Sequence, residues 1–206
     1  EPSTLSEDSE SYVAKQVRRH DRARFLTTLF APPESRRRLW EVYAFNIELA
    51  RIPESVSEPL IGRIKVQWWR DVIAAVREGR GAPKGQPVAA ELANAMTYGQ
   101  LTDAHLEDLL TAREAEFDSE GFADLAALEH HADMTAARLG WLALDVLAII
   151  DPVSRDAARH AAMAYALTGI VRTVPYHAAR NRMVLPRDLL ESTGITLEGI
   201  YSGADR

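Results

Sequence analysis

The chain has 206 residues and a mass of 22.9 kDa, enough for one domain with a substantial core. A net charge of −6 and a pI near 5.6 exclude the broad basic face of a general nucleic-acid binder, so no nucleic-acid partner is expected. With no cysteine, disulfides, thiolate catalysis and Cys-ligated zinc are excluded. No run approaches the roughly 18 apolar residues of a bilayer span: Leu139 to Ile150 is too short and is interrupted by Asp145. The chain opens on Glu1 rather than Met, which leads us to expect trimming or a removed targeting peptide.

Residues 1–10 are polar and acidic and are expected to be frayed or disordered. Residues 11–206 read as one all-α domain. Pro32-Pro33 punctuates the chain and opens a helix over about 33–52 that carries Leu39, Val42, Tyr43, Phe45, Leu49 and Ile52. Ser57-Glu58-Pro59 reads as a cap and first-turn proline. Leu60, Ile64, Trp68, Val72 and Val76 then recur every four residues as an apolar stripe. Gly79 to Pro87 forms a loop. Helices follow over Ala89–Tyr98 and Thr102–Phe117, the second capped by Thr102 or Asp103. A long helix carries Phe122, Leu125, Leu128, Leu139, Leu142 and Val146 and ends near Ile150. Asp151-Pro152 restarts the helix, which runs to about Arg180 with Pro175 predicted to kink it. No alternating period-2 segment of useful length appears, so strands are few or absent.

Two stretches carry the chemistry: Trp40–Glu54 (WEVYAFNIELARIPE) and Ala166–Pro186 (ALTGIVRTVPYHAARNRMVLP). Both resemble the squalene/phytoene synthase family, whose motifs read roughly Y-A-[WF]-C-R-x-x-D-x-x-x-D and Q-L-T-N-I-L-R-D-x-x-x-D, followed by R-x-Y-L-P. Carboxylates four apart share one face of a helix. Each family motif can therefore hold Mg²⁺ against a diphosphate leaving group from one wall of a cavity. In this chain Tyr43, Ala44 and Phe45 match, but the Arg position is Ile47 and the two Asp positions are Ala50 and Glu54. In the second motif Gln falls on Ala166 and Asn on Gly169, Arg172 matches, and the Asp positions are Thr173 and His177. Arg182, Leu185 and Pro186 match again.

The likeness extends over most of the chain. His20 and the run Phe30–Trp40 resemble the family's H-S-x-S-F…L-L-P-x-x-x-R-x-x-x-W opening. Leu128–Ala132 with Thr135–Gly140 resembles its L-x-x-Y-C…A-G-x-V-G helix, with His131 at the Tyr position. Ala44–Ala50, Ser55–Glu58 and Val174–His177 resemble the metal-site-depleted branch of the family, which includes a mitochondrial complex I assembly factor. The resemblance implies a single-domain helical bundle of the isoprenoid synthase type around a central apolar cavity. Enzymes of the family continue with further helices beyond the V-L-P segment, so C-terminal helices are expected to be missing here.

Each residue also has a plainer reading. Tyr43 and Phe45 could line a prenyl channel or simply fill the core. Trp68 continues the apolar stripe, whereas Trp69 sits one position off it, at the edge of a surface patch. His130 and His131 diverge by about 100° on a helix and cannot easily share one ion. His177 reads as a hydrogen-bonded interior or rim residue. Arg36-Arg37-Arg38, beside His20 and Arg22, suggests an anionic partner or a solvated face. Among Glu41, Glu48, Glu54, Glu114 and Glu116, only Glu54 is in register with a family Asp, and Thr173 and His177 are poor partners for a hard cation.

The resemblance therefore implies a catalytically degenerate member with no metal cofactor. Its role would be in respiratory complex I assembly or another membrane-complex biogenesis task. The implied partner is a membrane protein or respiratory complex, or else an apolar isoprenoid or lipid held in the cavity, with peripheral membrane contact. The implied location is the cytoplasm or a mitochondrial-matrix-like compartment, peripheral to the inner membrane. The enzyme alternative is a head-to-head prenyl transferase with altered ligands, which would need Mg²⁺. Tyr43 and Arg172 are expected to face a common cavity that stays large and apolar, with Tyr43 and Phe45 in its lining.

Overall fold

A computed structural model of the chain describes residues 11–117, 121–180 and 182–202. The segment 1–10, expected to be frayed, lies outside the described residues. Among the described residues there are eleven α-helices and no strand: α1 (Tyr12–His20), α2 (Arg22–Thr28), α3 (Pro33–Arg51), α4 (Pro59–Arg77), α5 (Pro87–Tyr98), α6 (Asp103–Ala115), α7 (Leu125–Ala132), α8 (Arg138–Val146), α9 (Pro152–Ala178), α10 (Arg187–Thr193) and α11 (Leu197–Ser202). Prolines occupy the first turns of α3, α4, α5 and α9, where a missing N–H costs nothing. Asp151 caps α9 by accepting the Ser154 N–H at 2.8 Å. Glu58 and Thr102 occupy cap positions without a side-chain cap bond. Thr102 instead donates its own N–H to Asp145 at 2.9 Å, tying the start of α6 to α8.

The helix expected from Phe122 to Ile150 is three pieces. Asp124 caps α7, a π turn spans Asp133–Ala137, and α8 ends at Val146. Within the π turn, Thr135 Oγ1 donates to the His131 carbonyl at 2.7 Å. Asp133 binds Arg138 and Arg159, joining the turn to α8 and α9. Extra residues of this kind in a helix often mark functional positions.

α3 is the central strut and packs against α1, α2, α5, α6 and α8. Its Leu39, Val42, Phe45 and Leu49 are buried among Val13 and Val17 of α1, Leu92 and Met96 of α5, Leu106 and Leu109 of α6, and Leu139 and Leu142 of α8. α4 is rotated from the expected register. Leu60 and Ile64 are 64% and 59% exposed, and the buried face is Gly62, Val66, Trp69, Val72 and Ala75. Two contacts set that rotation. Trp69 meets Phe45 edge to face at 5.0 Å. At Gly62 an added Cβ would fall 2.2 Å from the Phe117 ring, so the missing side chain admits Phe117. The surface tryptophan of the sequence reading is thus a core residue, and Trp68 is the half-buried one. Phe45 is likewise wholly buried in the core and belongs to none of the cavity walls described below, which corrects its assignment to the channel.

One charged group sits inside this core. Glu41 is 2% exposed; Arg37 reaches its Oε1 at 3.1 Å, and its Oε2 has no hydrogen-bond partner. Burial, with the neighbouring Glu91 carboxylate, raises its pKa from 4.5 to about 8, and Arg37 offsets only part of this. The native state therefore holds this proton more tightly than the unfolded chain. Glu41's stability contribution is complete below the ordinary carboxylate range and is lost as pH rises towards about 8.

Two outcomes follow for stability. Trp69→Ala should cost about 3–5 kcal/mol in chemical denaturation, while Leu60→Ala and Ile64→Ala should each change stability by about 0.5 kcal/mol or less. Glu41→Gln should flatten the loss of stability between pH 5 and pH 8, gaining on the order of 1 kcal/mol or more at the upper end. Parallel pH profiles for the two proteins would contradict the buried-proton account.

Candidate functional site

The last turn of α3, the π turn and the inner face of α9 converge on a trough made of two adjoining cavities of about 550 and 540 Å³. Ala50, Glu54, Arg113, His131 and Ile170 belong to the walls of both. The spacing that makes the family motifs work is preserved. Ala166, Gly169 and Ile170 recur on one side of α9 and face Ile47 and Ala50 of α3 across the trough. These residues, with Ala136 and Leu139, form an apolar strip in a wall that also carries Asp21, Arg24, Arg51 and Glu54. Gly169 borders open space, since a Cβ built on it would meet nothing within 4 Å.

The other section is charged. Arg113 of α6 reaches Glu116 at 2.6 Å, and His131 Nε2 lies 3.4 Å from the same carboxylate oxygen. Arg182 and Arg187 line the same cavity as Glu54 and His177. Gly121 closes one side in a left-handed conformation (φ +94°), and a Cβ there would come within 2.9 Å of the Met183 carbonyl.

Burial depresses the pKa of His131, and Arg113 depresses it further against the opposing pull of Glu116. His177 is depressed by burial and then by Arg182, and its Nδ1 is buried without a partner. His20 is also depressed, chiefly by burial and by Arg51, whose Nη1 is 3.5 Å from its Nε2. All three imidazoles are therefore favoured as neutral, and the cationic character of the trough comes from arginine.

Of the residues singled out from sequence, Ala50, Glu54, His131, His177 and Arg182 meet in the first cavity. His20, Ile47, Ala166 and Gly169 meet in the second. Tyr43 lines a smaller side cleft of about 220 Å³ with Arg24, Leu139 and Tyr165. Arg172 is exposed and contributes to none of these walls, so it does not share a cavity with Tyr43. Thr173 is exposed too, with its hydroxyl donating to the Ile170 carbonyl. Sequence reasoning missed Arg113, Arg24 and Tyr165. The one available signal for Arg113 was its i, i+3 spacing to Glu116.

The family implies Mg²⁺, and these residues do not fit a two-sided clamp for it. A hard cation needs several carboxylate or carbonyl oxygens. Here Glu54 stands opposite His177, Glu116 is already taken by Arg113 and His131, and Ala50 supplies no oxygen side chain. Glu41 is sealed against α5 by Arg37 and Glu91, and Glu114 is held by Arg70. Among the described residues no group of three or more His, Asp or Glu is placed to hold a metal ion.

A bundle of helices with two motif-bearing walls facing one trough defines the isoprenoid synthase fold, and the squalene/phytoene synthase model matches residues 17–206. The chain belongs to that family. It is 33% identical over 190 residues to a protein named NADH dehydrogenase (ubiquinone) complex I, assembly factor 6, from Bos taurus, covering 92% of this chain and 56% of that protein. It is 29% identical over 167 residues to presqualene diphosphate synthase from Rhodopseudomonas palustris, covering 80% of this chain and 58% of that one. The chain thus spans little more than half the length of these relatives. Among solved structures it superposes on a squalene synthase from Alicyclobacillus acidocaldarius with a TM-score of 0.76 at 19% identity, covering 92% of this chain and 71% of that one.

Arg113→Met should raise the pKa of His131, because it removes the cation that opposes Glu116. An NMR titration of the imidazole reads this directly; an unchanged or lower value would mean that Arg113 does not govern this wall.

Proposed function

We propose that this chain is a family member that has given up prenyl transfer and acts in the assembly of respiratory complex I. The observation that carries this reading is the exchange of charge on the trough walls. The metal-motif positions on the trough hold Ala50, Glu54 and His177, with arginines 113, 182 and 187 in the same cavity, while the remaining position, Thr173, faces solvent. Ionising an allylic diphosphate requires concentrated positive charge at the leaving oxygens, and Mg²⁺ held by paired carboxylates supplies it in such chemistry. Arginine paired to glutamate is a weaker substitute, and neutral imidazoles add none. No metal cofactor is required by this reading. The likeness to complex I assembly factor 6 proteins supports the assembly role.

The partner in this reading is a respiratory-complex subunit. The apolar section around Ile47, Ala166, Gly169 and Ile170 holds an isoprenoid, a lipid or an apolar segment of that subunit. The space beside Gly169 favours such an occupant, because a wall serving only as scaffold would have closed over it.

Incubation with farnesyl diphosphate and Mg²⁺ should release no diphosphate above a no-protein control, and deletion in the native host should lower assembled complex I on native gels. Ala166→Leu with Gly169→Leu should keep the fold and lose rescue of assembly. Catalytic diphosphate release would return the chain to the enzymes, and full rescue by the filled trough would move the function to the outer surface.

A further inference from the structure

The charge of this acidic chain is unevenly placed. Residues 11–40 carry eight Lys and Arg against two Asp and Glu, whereas the rest of the chain carries sixteen against twenty-eight. This basic segment is α1, α2 and the start of α3. Val13, Ala14 and Val17 of α1 face the core, and Lys15 and Arg19 face solvent.

α2 is two-faced in a different sense. Arg24 points inward, bound to Asp21 at 2.5 Å and stacked over Tyr165 at 4.8 Å, and Phe25 stacks on Trp40 at 5.7 Å. The outward stripe runs Arg22, Leu26, Leu29, Phe30, at i, i+4, i+7 and i+8. Leu26 and Leu29 are 47% and 44% exposed, and Phe30, in the turn after the helix, is 93% exposed. That turn is held rather than loose. Arg36 donates to the Ala31 carbonyl at 2.9 Å, and Trp40 Nε1 donates to the Thr28 hydroxyl at 2.7 Å. The Arg36 bond also fixes a guanidinium beside the apolar tip.

Single exposed apolar side chains are ordinary on a protein surface, but three on one stripe ending in a projecting phenylalanine are not. A held apolar tip with Arg36 beside it and Arg22 on the same stripe matches the chemistry of an anionic lipid surface. The aromatic ring enters the headgroup–acyl boundary, and Lys and Arg meet the lipid phosphates. A protein partner is less favoured, since the segment 11–40 is strongly basic, with Asp21 and Glu34 its two acidic residues.

We propose that the outward face of α2, with Arg22 on its stripe, Phe30 at its tip and Arg36 beside that tip, docks this protein on the surface of an anionic bilayer, the exposed Lys15 and Arg19 of the neighbouring α1 adding to its positive charge. The contact is peripheral: no helix among the described residues is long and apolar enough to cross a membrane. The opposite side of α2 borders the trough through Arg24 and the side cleft through Ala23 and Thr27, so docking sets the trough close to the lipid without covering it. This inference stands apart from the assembly reading, and the two are tested by different measurements.

The test is flotation of the purified chain with vesicles of phosphatidylcholine alone and of phosphatidylcholine mixed with phosphatidylglycerol. The wild type should float with the anionic vesicles, about tenfold more than with the neutral ones, and be released by high salt. Phe30→Ser should lower binding about tenfold, and Arg19→Glu with Arg22→Glu should do so at low salt as well. These positions are exposed, and unchanged thermal unfolding will establish that each variant is folded. Equal flotation with neutral vesicles, no flotation with either, or undiminished binding of folded Phe30→Ser would each overturn the proposal. So would concentration-dependent self-association, by sedimentation, that Phe30→Ser abolishes without any lipid binding, because the face would then belong to a second copy.

Discussion

α3 has neighbours on nearly every side, and this burial governs the rest of the bundle. A buried helix can bend or slide little, because interiors are close-packed and each of its large side chains contributes about 1.5–3 kcal/mol when removed from water. With Val42, Phe45 and Leu49 locked among α1, α5, α6 and α8, the last turn of α3 must emerge where Ala50 and Glu54 meet the trough. α4 takes its rotation from the same strut, because Trp69 must meet Phe45. The site is therefore a consequence of core packing, and it persists although the residues that once suited it to a metal are gone.

α9 forms the opposite wall by other means. Along its 27 residues only Ala178 is buried, so it is attached by polar contacts and close backbone approach rather than by a core stripe. Arg159 pairs with Asp133 of the π turn, Arg155 pairs with Asp145, and Trp141 donates to the Arg155 carbonyl. Ala162 lies 3.5 Å from where a Gly140 Cβ would be.

The residues on the trough walls set what it can bind. Arg113 takes up the Glu116 charge, and the histidines are held neutral by burial, so little is left to coordinate a cation. The apolar strip beside Gly169 adjoins charged groups in both sections, since Glu54, Arg113 and His131 line each of them.

Much of this was legible in the linear sequence. Helices α3, α4 and α9 announce themselves by first-turn prolines, and the all-α class follows from helical periodicity with no alternating segment. The convergence of Ala50, Glu54, Gly169 and His177 on one trough was legible in the motifs, although Thr173, four residues from both Gly169 and His177, faces solvent. Tertiary packing decided the remainder. Periodicity put Trp68 inside and Trp69 at the surface; the Phe45 ring and the space at Gly62 reversed that order. Phe45 left the channel for the core, and Arg172 turned to solvent, because helix rotation is set by neighbours rather than by the helix's own residues. Arg113 entered the site from α6, which carries no motif, and no local pattern reports which distant helix will close a cavity.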